Sequence, residues 1–169
     1  KRKNIKVFTP DKEEGSCHYN PLDGVTQMSQ TERRSFVEQM SIIICPDEQG
    51  ENSAFFVNGA RDYFCAIALY LLHLHDTGER PGELKFPEIV DVILSGNVFD
   101  VTITIKNSSC KIAGEYSNSY EGSSEKNVSG IYNHLCKCVR PFNTGALRTL
   151  FDGEGNCITP DDLNTGDIY

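Results

Sequence analysis

The chain has 169 residues, which is enough for one domain with a hydrophobic core of its own. Its formal net charge is -8, and this excludes a protein whose whole surface binds nucleic acid, because phosphate contacts require clustered Lys and Arg. Hydrophobic residues make up 38% and charged residues 24%, a composition typical of a soluble globular chain rather than a disordered one.

Seven cysteines occur along the chain. Their odd number and their positions in apolar stretches favour reduced thiols of a cytosolic compartment over a disulfide framework. The longest apolar run, residues 65–72, is far shorter than the roughly 20 residues that cross a bilayer. The sequence therefore predicts a soluble fragment that makes no membrane contact.

The predicted elements begin with a short strand at residues 4–9, where Ile5 and Val7 lie on one face. A charged loop leads from it to the stretch "YNPLDG", residues 19–24. Because Pro21 restricts the residue before it to extended backbone, this stretch predicts a sharp turn.

Two amphipathic helices follow the turn. The first covers residues 31–45 and ends before Pro46, and the second begins near Ser53, a predicted N-cap, and ends near residue 76. The apolar positions of the first helix are Phe36, Val37, Met40, Ile43 and Ile44; those of the second are Phe56, Ala60, Tyr63, Phe64, Ile67, Leu71 and Leu74. Further apolar residues widen the second stripe, so we expect that helix to be buried on most sides.

The second half of the chain is a series of shorter segments. Helices are predicted at residues 86–94, 110–120, 124–139 and 144–151. Residues 98–105 are ambiguous: Phe99, Val101, Ile103 and Ile105 alternate as in a strand, whereas Val98, Val101 and Ile105 also fit one face of a helix. A loop at residues 153–166 leads to "GDIY", which resembles the start of a strand.

One strand at the start and the beginning of another at the end cannot form a buried sheet. The sequence therefore predicts a mainly α fold, a helical bundle inserted between two strands of a parent sheet. Residues 1–24 would be the strand and junction, residues 25–152 the all-α domain, and residues 153–169 the return loop with the start of the next strand.

Two segments carry side chains that bind metals in other proteins. The stretch "HLCKC" at residues 134–138 has one-residue spacings, which on a helix direct side chains about 200° apart, so zinc is not predicted. Residues 152–163 resemble a calcium loop, with Asp152, Glu154 and Asn156 at alternate places. The sixth place lacks glycine and the twelfth lacks glutamate, so a solvated loop is the prediction. A free-standing calcium-regulated interaction module remains the alternative function.

Catalytic signatures are missing from the sequence. No G-x-x-x-x-G-K-[ST] loop and no Ser-His-Asp arrangement occurs. A thiol enzyme using His134 with Cys136 or Cys138 is a third hypothesis. Arg33 and Arg34 form a compact basic spot, where a solvated face is the ordinary interpretation and a partner contact the sharper one.

The order of three short motifs resembles the type IV secretion coupling proteins, the membrane-anchored hexameric ATPases of bacterial conjugation. The family's turn after a nucleotide-domain strand is matched by Tyr19, Asn20, Pro21 and Leu22. Its all-α helix motif is matched by Phe55, Phe56, Ala60 and Arg61, although the family usually has Phe-Trp where this chain has two phenylalanines. Residues 166–169 match the return strand.

The resemblance implies a substrate-recognition role. In the family this domain lies at the cytoplasmic tip of the ATPase ring and contacts DNA, the relaxase or accessory relaxosome proteins. We therefore expect a non-catalytic domain without a cofactor, from a homo-hexameric parent that uses ATP and Mg on the cytoplasmic side of the bacterial plasma membrane. The acidic charge favours protein partners, with a local DNA contact at Arg33 and Arg34 as the alternative.

Overall fold

The computed structural model describes residues 6–12, 14–50, 53–153, 158 and 162. Within them the chain folds into seven α-helices and no β-strand, which confirms the predicted mainly α class. The helices are α1 (Gln30–Ile44), α2 (Ser53–Asp76), α3 (Phe86–Ser95), α4 (Val98–Asn107), α5 (Lys111–Asn118), α6 (Glu125–Val139) and α7 (Gly145–Asp152). Two 3-10 turns, Val25–Gln27 and Arg140–Asn143, precede α1 and α7.

Helix α2 is the centre of the bundle. It contacts α1, α3, α4, α5 and α6, because its apolar residues surround most of the helix axis. Glycines let α6 approach closely: a Cβ at Gly59 would lie 2.7 Å from Ile131, and one at Gly130 would lie 2.9 Å from Phe56. The predicted burial of α2 is confirmed.

By length and composition alone, α2 could also cross a membrane, and no other helix in the described ranges meets that test. Of its most apolar window, 67% is buried inside the bundle. The central helix of a globular domain has the same properties, so this observation is weak evidence for a membrane span.

Helix α1 begins with a capping box. The Glu32 amide donates to Ser29 Oγ, and the Ser29 amide donates to Glu32 Oε2 at 2.9 Å, so the helix starts one residue earlier than predicted. The predicted apolar face is wrong at one position. Ile43 is 77% exposed, while Ile44 beside it is buried, because the core-facing stripe of α1 continues from Met40 to Ile44.

Residues 98–107 form a helix, which resolves the ambiguity of this β-branched segment. Val98 and Ile105 are buried against the bundle, and Asn97 caps the helix by accepting from the Phe99 amide at 2.9 Å. The hydroxyl of Thr102 donates to the Val98 carbonyl at 2.7 Å. Burial of one face and a good cap thus outweigh the local strand preference.

The predicted first strand and the predicted N-cap of α2 need correction. The described part of the expected first strand, residues 6–9, has one isolated bridge residue, Lys6, and the Cys17 amide donates to the Val7 carbonyl at 2.6 Å. One such contact does not make a ladder. Ser53 is the first residue of α2 and its hydroxyl donates to the Glu48 and Gly50 carbonyls, so it secures the preceding loop and does not accept from the helix.

Candidate functional site

The "YNPL" turn is fixed by the side chain of Asn20. Its Oδ1 accepts from the Leu22 amide at 3.1 Å, and its Nδ2 donates to the Leu84 carbonyl at 3.1 Å. The Asp23 amide closes the turn on the Asn20 carbonyl, also at 3.1 Å. Asparagine suits this position because its amide both accepts and donates. The turn is therefore attached to the loop that leads into α3.

Aromatic packing joins the same turn to α7. The Tyr19 ring lies 6.3 Å from both Phe8 and Phe151, and the Tyr19 amide donates to the Leu150 carbonyl at 2.9 Å. Burial, and then the nearby Asp23 carboxylate, raise the pKa of Tyr19. The phenol therefore stays neutral at physiological pH and acts as a packing group.

The incoming and return segments meet beside this cluster. The Ile158 amide donates to the His18 carbonyl at 2.8 Å, and Lys6 Nζ lies 2.7 Å from Asp162 Oδ2. Through these contacts, the segment that precedes the helices in the sequence lies next to residues that follow them. The predicted return-strand motif at residues 166–169 lies outside the described residues.

The second motif lies on α2. Arg61 on α2 donates from Nε to the Cys45 carbonyl and from Nη2 to Asp47 Oδ1, both at 2.9 Å. Ala60 beside it is fully buried. Arg61 thus satisfies a backbone carbonyl left open where α1 ends and secures the loop that follows.

The aromatic pair of this motif packs at the start of α2. The Phe55 ring meets Phe56 and Tyr120 edge to face, with centroids 5.4 and 5.6 Å away, and remains 38% exposed. Phe56 covers the glycine surface of α6 at Gly130. These residues connect α2 to the chain around α5 and α6, while the junction residues lie in a separate cluster with α7.

Arg33 has a structural position. Its guanidinium donates to the carbonyls of Val25 and Thr26 and pairs with Asp76, and its side chain is 11% exposed. It fastens the first 3-10 turn to the end of α2. This geometry leaves little of the cation for a partner, so of the two predicted basic contacts only Arg34 is presented at the surface.

Arg34 is 43% exposed and lies among alternating charges. It pairs with Glu38 at 3.2 Å and Glu115 at 3.4 Å, and its guanidinium stacks 5.1 Å over the ring of Tyr116. The Tyr116 hydroxyl donates to Glu38 and, as the main cause, lowers the pKa of that carboxyl. The cluster is polar and charged on α1 and α5, without an excess of cations.

A groove of about 310 Å³ adjoins the junction and was not predicted. Its lining residues are Tyr19, Pro21, Phe36, Gln39, Met40, Ile43, Ile44, Phe86, Phe142 and Phe151. The sequence does contain one indication of an apolar surface here. Helix α1 has more apolar residues than a single core-facing stripe requires, and Ile42 and Ile43 are the additional ones. Phe142 and Phe151 could not be assigned to the groove because they come from distant positions in the chain.

The catalytic and metal hypotheses gain nothing from the geometry. The Cys136 thiol donates to the Ile93 carbonyl at 3.7 Å, and burial raises the pKa of both Cys136 and Cys138, whereas an activated nucleophile needs a lowered pKa. No group of three or more metal-ligating side chains occurs among the residues that the structure describes. Most of the calcium-like loop at residues 152–163 lies outside them.

The fold and these sites define a helical domain in which the segment before α1 contacts residues 158 and 162 beyond α7. A family model for the type IV secretory system conjugative DNA transfer proteins matches residues 1–144. The chain belongs to this family, which confirms the resemblance inferred from the sequence motifs. No curated protein sequence matches the chain significantly.

Proposed function

We propose that this chain is the non-catalytic recognition domain of a conjugative coupling protein. The observation that carries the proposal is the meeting of the two chain segments at His18 and Ile158, in a member of a DNA-transfer family. A domain inserted into a host must leave close to where it enters. The "YNPL" turn at this location then gives the bundle a fixed orientation.

Proteins of the relaxosome are the proposed main partners, namely the relaxase and its accessory proteins. The net charge of -8 opposes a broad DNA surface. Exposed apolar side chains such as Ile42 and Ile43 are typical of surfaces that contact proteins. A local DNA contact at Arg34 is the second component of the proposal, supported by the exposure of that side chain.

The proposed setting follows from the family. The parent would be a membrane-anchored homo-hexameric ATPase with ATP and Mg bound outside this chain, and the domain would face the cytoplasm at the bacterial plasma membrane. The chain itself would hold no cofactor, because its sequence contains no phosphate-binding loop.

The purified chain can be tested against both partner classes. Immobilised cognate relaxase and accessory proteins are expected to retain it, and this binding should weaken only modestly with salt. Gel shifts with single- and double-stranded DNA are expected to be weak and to vanish as salt rises. Absence of binding to every relaxosome protein and to DNA would overturn the proposal.

A matched pair of variants tests the contact at Arg34. Arg34→Ala removes a half-exposed cation on α1, and Lys126→Ala removes an exposed one on α6. If Arg34 contacts a partner, only its variant loses binding. Equal effects of the two substitutions would show that net charge alone matters and would remove Arg34 from the site.

A further inference from the structure

The α1 groove, the space of about 310 Å³ between α1 and the junction, presents apolar side chains to solvent. Helix α1 contributes Phe36, Met40 and Ile43 to its lining, and most of the remaining lining is aromatic. Ile43 is 77% exposed and its neighbour Ile42 is 53% exposed. A continuous apolar surface of this kind is typical of a site that another molecule covers.

The aromatic part of the lining is packed in place. The Phe86 ring meets Phe142 and Phe151 edge to face, with centroids 5.2 and 5.5 Å away, and the Tyr19 ring lies 6.3 Å from Phe151. Phe86 and Phe151 are also buried. Because these contacts already hold the rings together, the groove is formed before a partner arrives, and binding need not order this part of the domain.

The length of the groove fits a short helix. Between Phe36 and Ile44, α1 advances about 12 Å along its axis. An amphipathic helix places anchor side chains at positions i, i+3 or i+4, and i+7, which span about 10 Å. An extended peptide would instead need the open edge of a sheet, and the described residues form no strand.

The start of α1 and the turn before it are acidic. Glu32 is exposed one helical turn before the first α1 residue of the groove, and Asp23 is half-buried in the turn. Arg33 beside Glu32 is paired with Asp76 and with backbone carbonyls. In a chain of net charge -8, this end of the groove favours a cationic partner segment.

Other cations near the groove are mostly engaged within the chain. Lys85 donates to the Asp152 carbonyl at 2.6 Å, and Lys137 pairs with Glu48 at 3.0 Å. Arg140 is exposed in the 3-10 turn before α7. The preference for a cationic segment therefore belongs to the start of α1.

We propose that the α1 groove binds an amphipathic helix of a relaxosome protein, with apolar side chains in the groove and lysine or arginine beside Asp23 and Glu32. This inference rests on the proposed function and names the chemistry of the segment that the domain would recognise. Because Tyr19 and Phe151 belong to both the groove and the junction, the bound helix would also contact the junction.

Methionine methyl groups report on the groove directly. The chain has two methionines, Met28 and Met40, and Met40 lines the groove. The whole chain, labelled with ¹³C-methyl methionine, is titrated with an amphipathic leucine–lysine peptide of about 14 residues. We expect this peptide to shift the Met40 signal and leave Met28 unchanged. A peptide of the same composition, with its leucines spread around the helix, should shift neither signal at the same concentration.

Two glutamate variants locate the binding surface. Ile43→Glu changes an exposed residue of the groove, and Ile103→Glu changes one on α4 that is 57% exposed and lies outside the groove lining. Both variants add the same charge and should stay folded, because both side chains are exposed. Ile43→Glu should weaken binding of the amphipathic peptide about tenfold or more, and Ile103→Glu should leave it within about twofold.

A second pair tests the charge preference. Asp23→Asn should weaken binding about two- to threefold and reduce its dependence on salt, whereas Asp100→Asn on α4 should leave both unchanged. Equal effects within either pair of variants, or equal shifts with the two peptides, would overturn the proposal. A Met40 signal that moves with chain concentration alone would assign the groove to a second copy and would also overturn it.

The cognate relaxosome proteins separate this inference from the proposed function. Immobilised relaxase or accessory protein should retain the wild-type chain and the Ile103→Glu variant, and should release the Ile43→Glu variant. Equal retention of all three would remove the groove from the binding site and leave the recognition role in place. Failure to retain any of them would contradict both.

Discussion

At the residue scale, one polar side chain of each of the two described motifs binds backbone groups. Asn20 closes a turn and binds the Leu84 carbonyl, and Arg61 binds the Cys45 carbonyl. Asn20 and Arg61 therefore each satisfy a polar group that the nearby turn or helix end leaves open, which an apolar residue of similar size could not do.

Substitution of Asn20 tests this role. Asn20→Ala removes the acceptor of the Leu22 amide and the donor to Leu84, and should lower the free energy of unfolding by about 1–2 kcal/mol. Asn20→Asp keeps the acceptor and loses the donor, so the decrease in its free energy of unfolding should reflect the missing hydrogen bond to the Leu84 carbonyl. Denaturant unfolding monitored by circular dichroism measures both.

Asn133 supplies the control for this series. It is exposed on α6, and Asn133→Ala should change stability by less than about 0.5 kcal/mol, because alanine also favours the helix. An equal loss in Asn133→Ala and Asn20→Ala would mean that the turn contacts contribute nothing specific.

At the scale of the elements, close packing between α2 and α6 depends on glycine. Gly59 lies against three side-chain atoms of buried Ile131, each within 3 Å of where a Cβ would be. Gly114 on α5 has nothing within 4 Å of that position. Both glycines lie in helices of the same domain, but a Cβ would clash at Gly59 and would meet open space at Gly114.

Alanine substitutions at these glycines should have opposite effects. Gly114→Ala is expected to stabilise the chain by about 0.5–1 kcal/mol through helix propensity alone. Gly59→Ala gains the same propensity, but overpacking against Ile131 costs about 1–3 kcal/mol, so a net loss is expected. Thermal unfolding of both variants decides the matter, and stabilisation by Gly59→Ala would contradict the close contact.

The orientation of α1 can be tested with two adjacent residues. Ile44→Ala empties a buried position and should cost about 2–4 kcal/mol, whereas Ile43→Ala removes an exposed side chain and should cost less than about 0.5 kcal/mol. Chemical denaturation of the two variants gives the comparison. Similar losses would show that the outer face of α1 is covered in the folded chain.

The elements also show how far sequence reasoning extends. The stripe of α2 was predictable because it repeats over many turns, and the "YNPL" turn because proline restricts its neighbour. Residues 98–107 were not, since β-branched residues fit both states and packing of Val98 and Ile105 decided between them. The groove needs Phe142 and Phe151 to meet α1, a tertiary arrangement that local patterns do not encode.

At the scale of the whole molecule, the chain divides into a bundle built around α2 and a junction built around Tyr19. The junction holds the incoming segment, the turn and α7 together through Phe8 and Phe151. Movement of a parent domain attached at this location would reach the bundle through these contacts. The side chains proposed to contact a partner, Ile42, Ile43 and Arg34, all lie on α1, which together with the junction lines the apolar groove.

We predict that the chain alone neither binds nor hydrolyses ATP. Its sequence has no glycine-rich loop with the lysine that contacts nucleotide phosphates, so Mg-ATP should leave the unfolding midpoint unchanged, whereas a ligand that binds the native state raises it. Phosphate release should equal that of a buffer blank, in samples whose cooperative unfolding shows that they are folded. Turnover that follows the chain through a second purification step would refute the non-catalytic assignment. Nucleotide binding without turnover would instead contradict the placement of the ATP site in the parent.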